Sequence, residues 1–330
     1  MRKGRRGDDT LKERVVITVE NVGQDISREV DQLEKAGFAV EWNPTDNTDD
    51  YEQVIRAVKG STYVIAAGET WCRQTIEGAG DQLKMIVRYG AGYDRVDLQT
   101  AKKHGICVSN TPGANAMAVA EHAFALMFAV CKKIPQYDRD MRSGLWRPMY
   151  GGEICGRTVG IIGFGAIGKS LARFLSGMCC HVIAYDIHWD EEAAKKYHVK
   201  RAGLEELIEN SDFVSVHIPL TDSARAFVDK KFFEKMKPNA YFINTSRGKI
   251  VNERDLIEAL KSGRIAGAGL DVFETEPPAT IQELKRLDHV VLTPHVASTC
   301  GLGMHEMLKE SVENILMFAK GIPRNMVLQA

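Results

Sequence analysis

The chain has 330 residues, 44% hydrophobic and 26% charged, with 43 Lys and Arg against 44 Asp and Glu for a formal net charge of −1. That length exceeds one ordinary core and suits two domains, and so even a charge balance speaks against the basic face a nucleic-acid partner demands. No run reaches the ~18 uninterrupted apolar residues of a membrane span; the most apolar stretch, 116–130, is broken by Glu121 and His122.

The N-terminal run 1–14 is rich in Arg and Lys but has no apolar h-region, and it reads as a solvated tail rather than a secretory signal. An apolar β-branched run predicts a strand over 15–21, followed by a helix over 26–36 that Gly37 ends. A strand over 38–42, a helix over Tyr51–Val58 and a strand over 63–67 come next. Two more strands, at 83–89 and 106–109, flank a helix at 98–104. Short strands alternating with helices predict a parallel sheet covered on both faces. After Pro112 the pattern changes to one long, mostly apolar helix over 115–132, ending before Pro135. It is too hydrophobic all round to face water, so it is expected between two bodies. A second alternating series runs from Thr158 to about Val296. The final helix, 304–320, is amphipathic and ends at Gly321 before Pro323. The fold class is therefore α/β, with two doubly wound parallel-sheet domains. If the last helix packs on the first domain, the second is an insertion.

Seven cysteines, at 72, 107, 131, 155, 179, 180 and 300, form an odd set with no CxxC pair. They predict a reducing cytoplasm, and no metal site: Cys179, Cys180 and His181 are consecutive strand residues that point to alternate faces.

The strongest motif is Gly163-Phe164-Gly165-Ala166-Ile167-Gly168, after the strand Thr158–Ile162 and opening a helix over 169–175. Gly163 permits a tight turn, Gly165 lets the backbone approach a pyrophosphate, and Gly168 allows close packing of helix on strand. The helix N-terminus offers unpaired N–H groups to phosphates. A second strand, His181–Tyr185, ends in Asp186, which can accept from both ribose hydroxyls and would repel a 2′-phosphate. No Arg follows it, so NAD is favoured over NADP. Three further motifs close strands in the same series: Asn244-Thr245-Ser246-Arg247-Gly248, Asp271 leading to Glu276-Pro277-Pro278, and Thr293-Pro294-His295. Reducing a 2-oxo acid needs a proton donor, a cation for the carboxylate and a group that orients the donor. His295, Arg247 and Glu276 supply those three chemistries at the strand edge where ligands bind.

With these residues in view, the chain resembles the D-isomer-specific 2-hydroxyacid dehydrogenase family, and within it the phosphoglycerate-dehydrogenase-like branch, over about 15–327. The motifs that carry the resemblance are Arg88-Tyr89-Gly90-Ala91-Gly92-Tyr93-Asp94, Asn110-Thr111-Pro112-Gly113, Val119-Ala120-Glu121, the glycine turn, His217-Ile218-Pro219-Leu220 and the three strand-end motifs. The resemblance implies a flavodoxin-like substrate domain from 1–110 and 298–330, and an inserted Rossmann domain at 111–297 that carries NAD. It implies Arg247, Glu276 and His295 as the catalytic set, with His295 as proton donor. It puts Tyr89, Gly90, Ala91 and Gly92 with Arg247 on the substrate, Ile218 and Pro219 beside the adenine ribose, and Thr245, Ser246, Asp271, His295 and Ser298 on the cofactor side. The helix 115–132 with an arm at 137–146 is expected to form a homodimer.

Relatives that oxidise 3-phosphoglycerate often carry an Arg just after the third strand of the substrate domain, whereas this chain has Ile65-Ala66-Ala67-Gly68-Glu69. A phosphate would then need Arg88 or Arg147. The regulatory domain that some relatives append is not expected within these 330 residues. The expected activity is NAD-dependent hydride transfer to or from C2 of a small 2-hydroxy or 2-oxo acid, 3-phosphoglycerate among the candidates. The alternative is an NAD(H)-sensing, co-repressor-like binding protein of the same fold.

Overall fold

The computed structural model describes residues 12–20, 25–45 and 49–330. The tail expected over 1–14 falls almost wholly outside them, as does the last residue of the strand expected over 15–21. The strands among the described residues are, in chain order, β1 (Arg14–Ile17), β2 (Ala39–Trp42), β3 (Tyr63–Ala66), β4 (Met85–Arg88), β5 (Cys107–Ser109), β6 (Thr158–Ile162), β7 (His181–Tyr185), β8 (Lys200–Arg201), β9 (Phe213–Val216), β10 (Tyr241–Asn244), β11 (Gly267–Leu270), β12 (Val290–Leu292) and β13 (Met326–Leu328). The chain divides into two compact units, one of Met1–Ala114 with Met304–Ala330, the other of Asn115–Gly303.

The first unit holds a sheet of order β13-β5-β4-β3-β1-β2. The five strands expected from the sequence, β1 to β5, pair in parallel, and β13, a strand not expected from the sequence, adds an antiparallel edge beside β5. The inner strands β1, β3 and β4 have Val and Ile at their centres because helices cover both faces there. On one face Ile17, Ile65, Met85 and Val87 pack against Leu308, Val312 and Ile315 of the last helix, Gly301–Ala319. Those three helix positions recur at the i, i+4, i+7 spacing of one helical face. The helix stops as Gly321 turns left-handed (φ +76) and the Ile322 amide reaches back to the Met317 carbonyl at 2.9 Å.

The second unit holds a wholly parallel sheet of order β12-β11-β10-β9-β6-β7-β8. Alternate residues of its strands face opposite ways. Ile161, Phe213 and Ile243 join one core with the helices Ala116–Cys131 and Ala166–Leu175, while Ile162, Val214 and Phe242 join another with the helices Lys230–Lys235 and Glu253–Lys261. The order of strands reverses between β6 and β9, and the crevice beyond the strand ends at such a switch point is where open α/β sheets bind ligands.

Within this unit the long apolar helix spans Ala116–Cys131, with Ala120, Ala123, Met127 and Cys131 fully buried. Pro135 does not merely follow its end. Lys133 turns left-handed (φ +55), and a second helix, Ile134–Arg142, begins with that proline in its first turn. A proline costs nothing there, because the first turn has no carbonyl partner for its missing N–H. Among the described residues no helix is long and apolar enough to cross a membrane.

Candidate active site

The glycine turn sits between β6 and the helix Ala166–Leu175, which starts at Ala166 rather than at 169, with Gly165 as its N-cap. Its shape dictates its sequence. Gly163 adopts φ +97, and a Cβ there would lie 2.6 Å from the His217 carbonyl oxygen. A Cβ on Gly168 would lie 2.1 Å from the Gly163 oxygen, so the helix could not close on its strand. Gly165 is different: nothing stands within 4 Å of its missing side chain. Exposed and open, it leaves the first helical amides accessible to an anion. These features fit a dinucleotide pyrophosphate.

Asp186 follows β7. Its Oδ2 accepts the Phe164 amide at 2.6 Å and its Oδ1 the His188 amide at 2.7 Å. The carboxylate is thereby fixed beside the glycine turn, and each oxygen keeps further lone-pair capacity for ribose hydroxyls. Two aromatic rings brace the same corner: Phe164 and Trp189 stack with centroids 5.1 Å apart, and Arg201 lies over Trp189. Sequence reading did not single out Trp189. Beyond β9, Ile218 is half-buried and Pro219 exposed. His217 bonds Ser215 Oγ through Nε2 at 2.8 Å, while its Nδ1 is enclosed without a partner; burial pushes the imidazole down to about 4.

The catalytic candidates occupy the ends of three neighbouring strands at the same edge. Arg247 follows β10. Asn244 Nδ2 donates to the Arg247 carbonyl at 3.1 Å, and Arg247 Nη1 donates to the Ser246 carbonyl at 2.8 Å. Ser246 is tied by its amide and hydroxyl to Asn244 Oδ1. Thr245 is buried and its hydroxyl has no hydrogen-bond partner, an orphan polar atom that a bound cofactor would satisfy. Glu276 reaches back so that Oε1 accepts the Phe273 amide at 3.2 Å and Oε2 meets His295 Nδ1 at 2.8 Å. His295 is 46% exposed at its side chain, so the imidazole is both oriented and accessible. Glu253, which sequence reading also passed over, holds this loop from below by accepting the Glu274 amide and the Thr280 hydroxyl.

Asp271 stands apart from that pattern. It is fully buried; Oδ1 accepts from Thr293 Oγ1 at 2.6 Å and from the Val296 amide at 2.9 Å, and Oδ2 accepts the Ala297 amide at 2.9 Å. Burial pushes the carboxyl up, but donation from His122, Thr293 and the two amides outweighs it and holds the group below the usual carboxylate range. Ser298, the residue after Ala297, is half-buried.

In the first unit, Tyr89–Gly92 follows β4 with Tyr89 Oη donating to the Met304 carbonyl at 2.7 Å. Gly90 (φ +125) already gives its amide to Thr111 Oγ1 at 2.9 Å, and the Ala91 carbonyl accepts Asn110 Nδ2 at 2.7 Å. The loop is therefore tied from its own unit by the Asn110-Thr111 motif. Arg88 is 6% exposed and donates to the Gly92 carbonyl; Arg147, in the other unit, pairs with Asp140 at 3.1 Å. Glu69 is fully buried, accepting from Thr18 and Trp71.

Comparison with known proteins gives one family, the D-isomer specific 2-hydroxyacid dehydrogenase NAD binding domain, which matches residues 124–297. Among curated relatives, a D-3-phosphoglycerate dehydrogenase of Archaeoglobus fulgidus is 37% identical over 310 residues, covering 93% of this chain and 58% of that protein, so the chain spans little more than half of that relative's length. A glyoxylate reductase of Korarchaeum cryptofilum is 41% identical over 258 residues, covering 76% of this chain and 78% of that one. Among solved structures, the D-lactate dehydrogenase of Aquifex aeolicus complexed with NAD and lactic acid superposes with a TM-score of 0.82 at 25% identity, covering 96% of this chain and 99% of that one.

Proposed function

Because the chain belongs to the D-isomer specific 2-hydroxyacid dehydrogenase family of NAD-dependent oxidoreductases, we propose that it moves a hydride between nicotinamide C4 and C2 of a small 2-hydroxy or 2-oxo acid. In this reading the unit Asn115–Gly303 holds NAD, and the unit built from both chain ends holds the acid. The observation that carries it is the 2.8 Å pair of His295 Nδ1 with Glu276 Oε2, set at the same strand edge as Arg247, the glycine turn and Asp186.

NADH, when bound, supplies the hydride; the chain's own residues do the rest. Glu276 accepts from Nδ1–H and so presents Nε2 of His295 as the nitrogen that exchanges a proton with substrate. In reduction, protonated His295 gives that proton to the carbonyl oxygen as C2 becomes a carbinol; in oxidation the neutral ring takes it back. Arg247 offers a planar fork for the carboxylate. Asp186 and the glycine turn hold the adenosine and pyrophosphate, with NAD preferred over NADP because a carboxylate repels a 2′-phosphate.

The favoured substrates carry no phosphate. The stretch 65–69 has no cation, Arg88 is buried within its own unit and Arg147 is already paired. The test follows NADH absorbance over a panel of 3-phosphohydroxypyruvate, hydroxypyruvate, glyoxylate, pyruvate and bulkier 2-oxo acids. Rapid turnover of an unphosphorylated member, lost in His295→Ala, is the expected result. Preference for 3-phosphohydroxypyruvate would overturn the substrate assignment. No turnover despite tight NADH binding would replace the enzyme with the NAD-sensing binding protein.

The segment Ile134–Tyr150 exposes Ile134, Met141, Leu145, Trp146 and Tyr150, each more than half accessible, which supports a homodimer through this arm. Light scattering on the eluting protein should give twice the chain mass of 36.7 kDa; a monomer mass at micromolar concentration refutes it. The compartment proposed is the cytoplasm, where seven thiols stay reduced; a fluorescent fusion recovered elsewhere would contradict that.

A further inference from the structure

His295 lies directly after Pro294, and its backbone is in the left-handed region (φ +53), which costs a non-glycine residue about 1–2 kcal/mol. Something must hold it there. Asp271, at the end of β11, does so from both its main chain and its side chain. Its carbonyl accepts the His295 amide at 2.8 Å, and its two carboxylate oxygens accept the Val296 and Ala297 amides at 2.9 Å each. Three consecutive amides of the loop are thus gripped by one residue.

The grip extends to a different element. Thr293 Oγ1 donates to Asp271 Oδ1 at 2.6 Å and lies 2.9 Å from Nε2 of His122, on the long helix Ala116–Cys131. A hydroxyl has one hydrogen, and here it goes to the carboxylate. Thr293 Oγ1 can therefore only accept from His122, which fixes His122 as the tautomer with hydrogen on Nε2. The same Nε2 lies 3.5 Å from Asp271 Oδ1, so one donor serves both acceptors. A charged group with no exposure depends on every donor around it.

We propose that His122 is a positioning residue for His295, acting through Thr293 and Asp271 on the loop that holds the imidazole in place. The assignment rests on His295 being the proton donor of the reaction proposed above. It distinguishes donor capacity from bulk. Gln places an amide N–H near where the imidazole Nε2–H stands, whereas Met fills similar space without a donor.

The test combines turnover with hydrogen–deuterium exchange over segment 293–299 in the full-length protein. His122→Met and Thr293→Val should each lower kcat about tenfold or more while the KM for NADH stays within about twofold, in keeping with a displaced catalytic group. His122→Gln should recover most of the rate. The double variant should be little worse than either single one, since both remove one linkage. Exchange of the 295–297 amides should accelerate about tenfold in His122→Met and Thr293→Val and stay near wild type in His122→Gln. Unchanged exchange in His122→Met, a Gln variant as impaired as Met, or strictly additive losses would overturn the assignment. If the wild-type protein reduces no 2-oxo acid, the functional reading falls instead, and the exchange data still decide whether His122 holds this loop.

Discussion

Gly248 follows Arg247 directly, and its missing side chain faces the backbone of the segment that leads to Glu276. A Cβ there would stand 1.8 Å from the Phe273 carbonyl carbon, 1.9 Å from its oxygen and 2.4 Å from the Glu274 nitrogen. Non-bonded carbons settle at about 3.5 Å, so Gly248→Ala forces the two backbones roughly 1.5 Å apart. No side-chain rotation relieves this, because every colliding atom is main chain. The segment is also anchored: the Glu274 amide is bound by Glu253 at 2.9 Å, and Phe273 is buried. Overpacking of this kind costs on the order of 3 kcal/mol, or roughly 6–12 °C in Tm for a unit of this size. Moving the Glu276 loop by that amount also breaks its 2.8 Å bond to His295, and ångström-scale misplacement costs roughly 100-fold in rate. Thermal melting and NADH oxidation on the same preparation measure both. Gly203→Ala is the control, since nothing lies within 4 Å of that position, and it should change stability by no more than about 0.5 kcal/mol. A Gly248→Ala protein that melts within about 2 °C of wild type and keeps its kcat would refute the reasoning.

Other perturbations separate cofactor binding from folding. Gly165→Ala meets no atom within 4 Å and keeps an ordinary φ of −77, so the melting temperature should hold while the Kd for NADH rises about tenfold or more; an unchanged Kd would remove the turn from the pyrophosphate site. Asp186→Ala should erode the preference for NADH over NADPH, and an unaltered ratio of the two kcat/KM values would count against its ribose role. His217 is pushed down to about 4 by burial, below the ordinary value of ~6.5. The unfolded chain therefore takes up that proton first, so this group's stabilisation is complete above pH ~6.5 and is lost as pH falls from ~6.5 to ~4, by at most about 3 kcal/mol. Urea unfolding across that window should show a shallower pH slope in His217→Gln, and identical slopes would mean the ring titrates normally.

The elements most legible in the sequence are those whose local pattern and tertiary role agree. The helix Tyr51–Val58 and the strands Thr158–Ile162 and His181–Tyr185 fall where periodicity puts them, because an apolar run with a polar boundary is also what the sheet buries. The departures have separate causes. The helix Arg73–Ala79 was not expected: its seven residues bury only Thr75, Ile76 and Ala79, too few to establish a period. The long helix does end before Pro135, at the left-handed Lys133, but the helix Ile134–Arg142 that starts there was not expected, because a proline after a helix is equally at home in the first turn of the next one. Strand β13 has three residues and pairs with β5 across more than two hundred positions of sequence, a partnership no local window contains.

The candidate site divides along the same line. Glycines whose Cβ would strike backbone, an acid at the end of the second Rossmann strand, and Arg, Glu and His closing β10, β11 and β12 are recognisable because each position asks for one residue type. Asp271 is not, since its surroundings are assembled from positions 122, 293, 296 and 297. Read alone, it is an acid at a strand end that the resemblance puts on the cofactor side; the fold adds that its carboxylate is enclosed and fastens segment 293–297 of its own chain. His122 carried a faint signal of its own. Together with Glu121 it interrupts the most apolar stretch of the sequence, and Glu121 is exposed whereas the His122 side chain is 22% exposed and bonded. A polar residue on the inner side of an apolar helix must find a partner or lose about 1–3 kcal/mol. Such interruptions therefore mark where a helix is fastened to another element, and here that element carries His295.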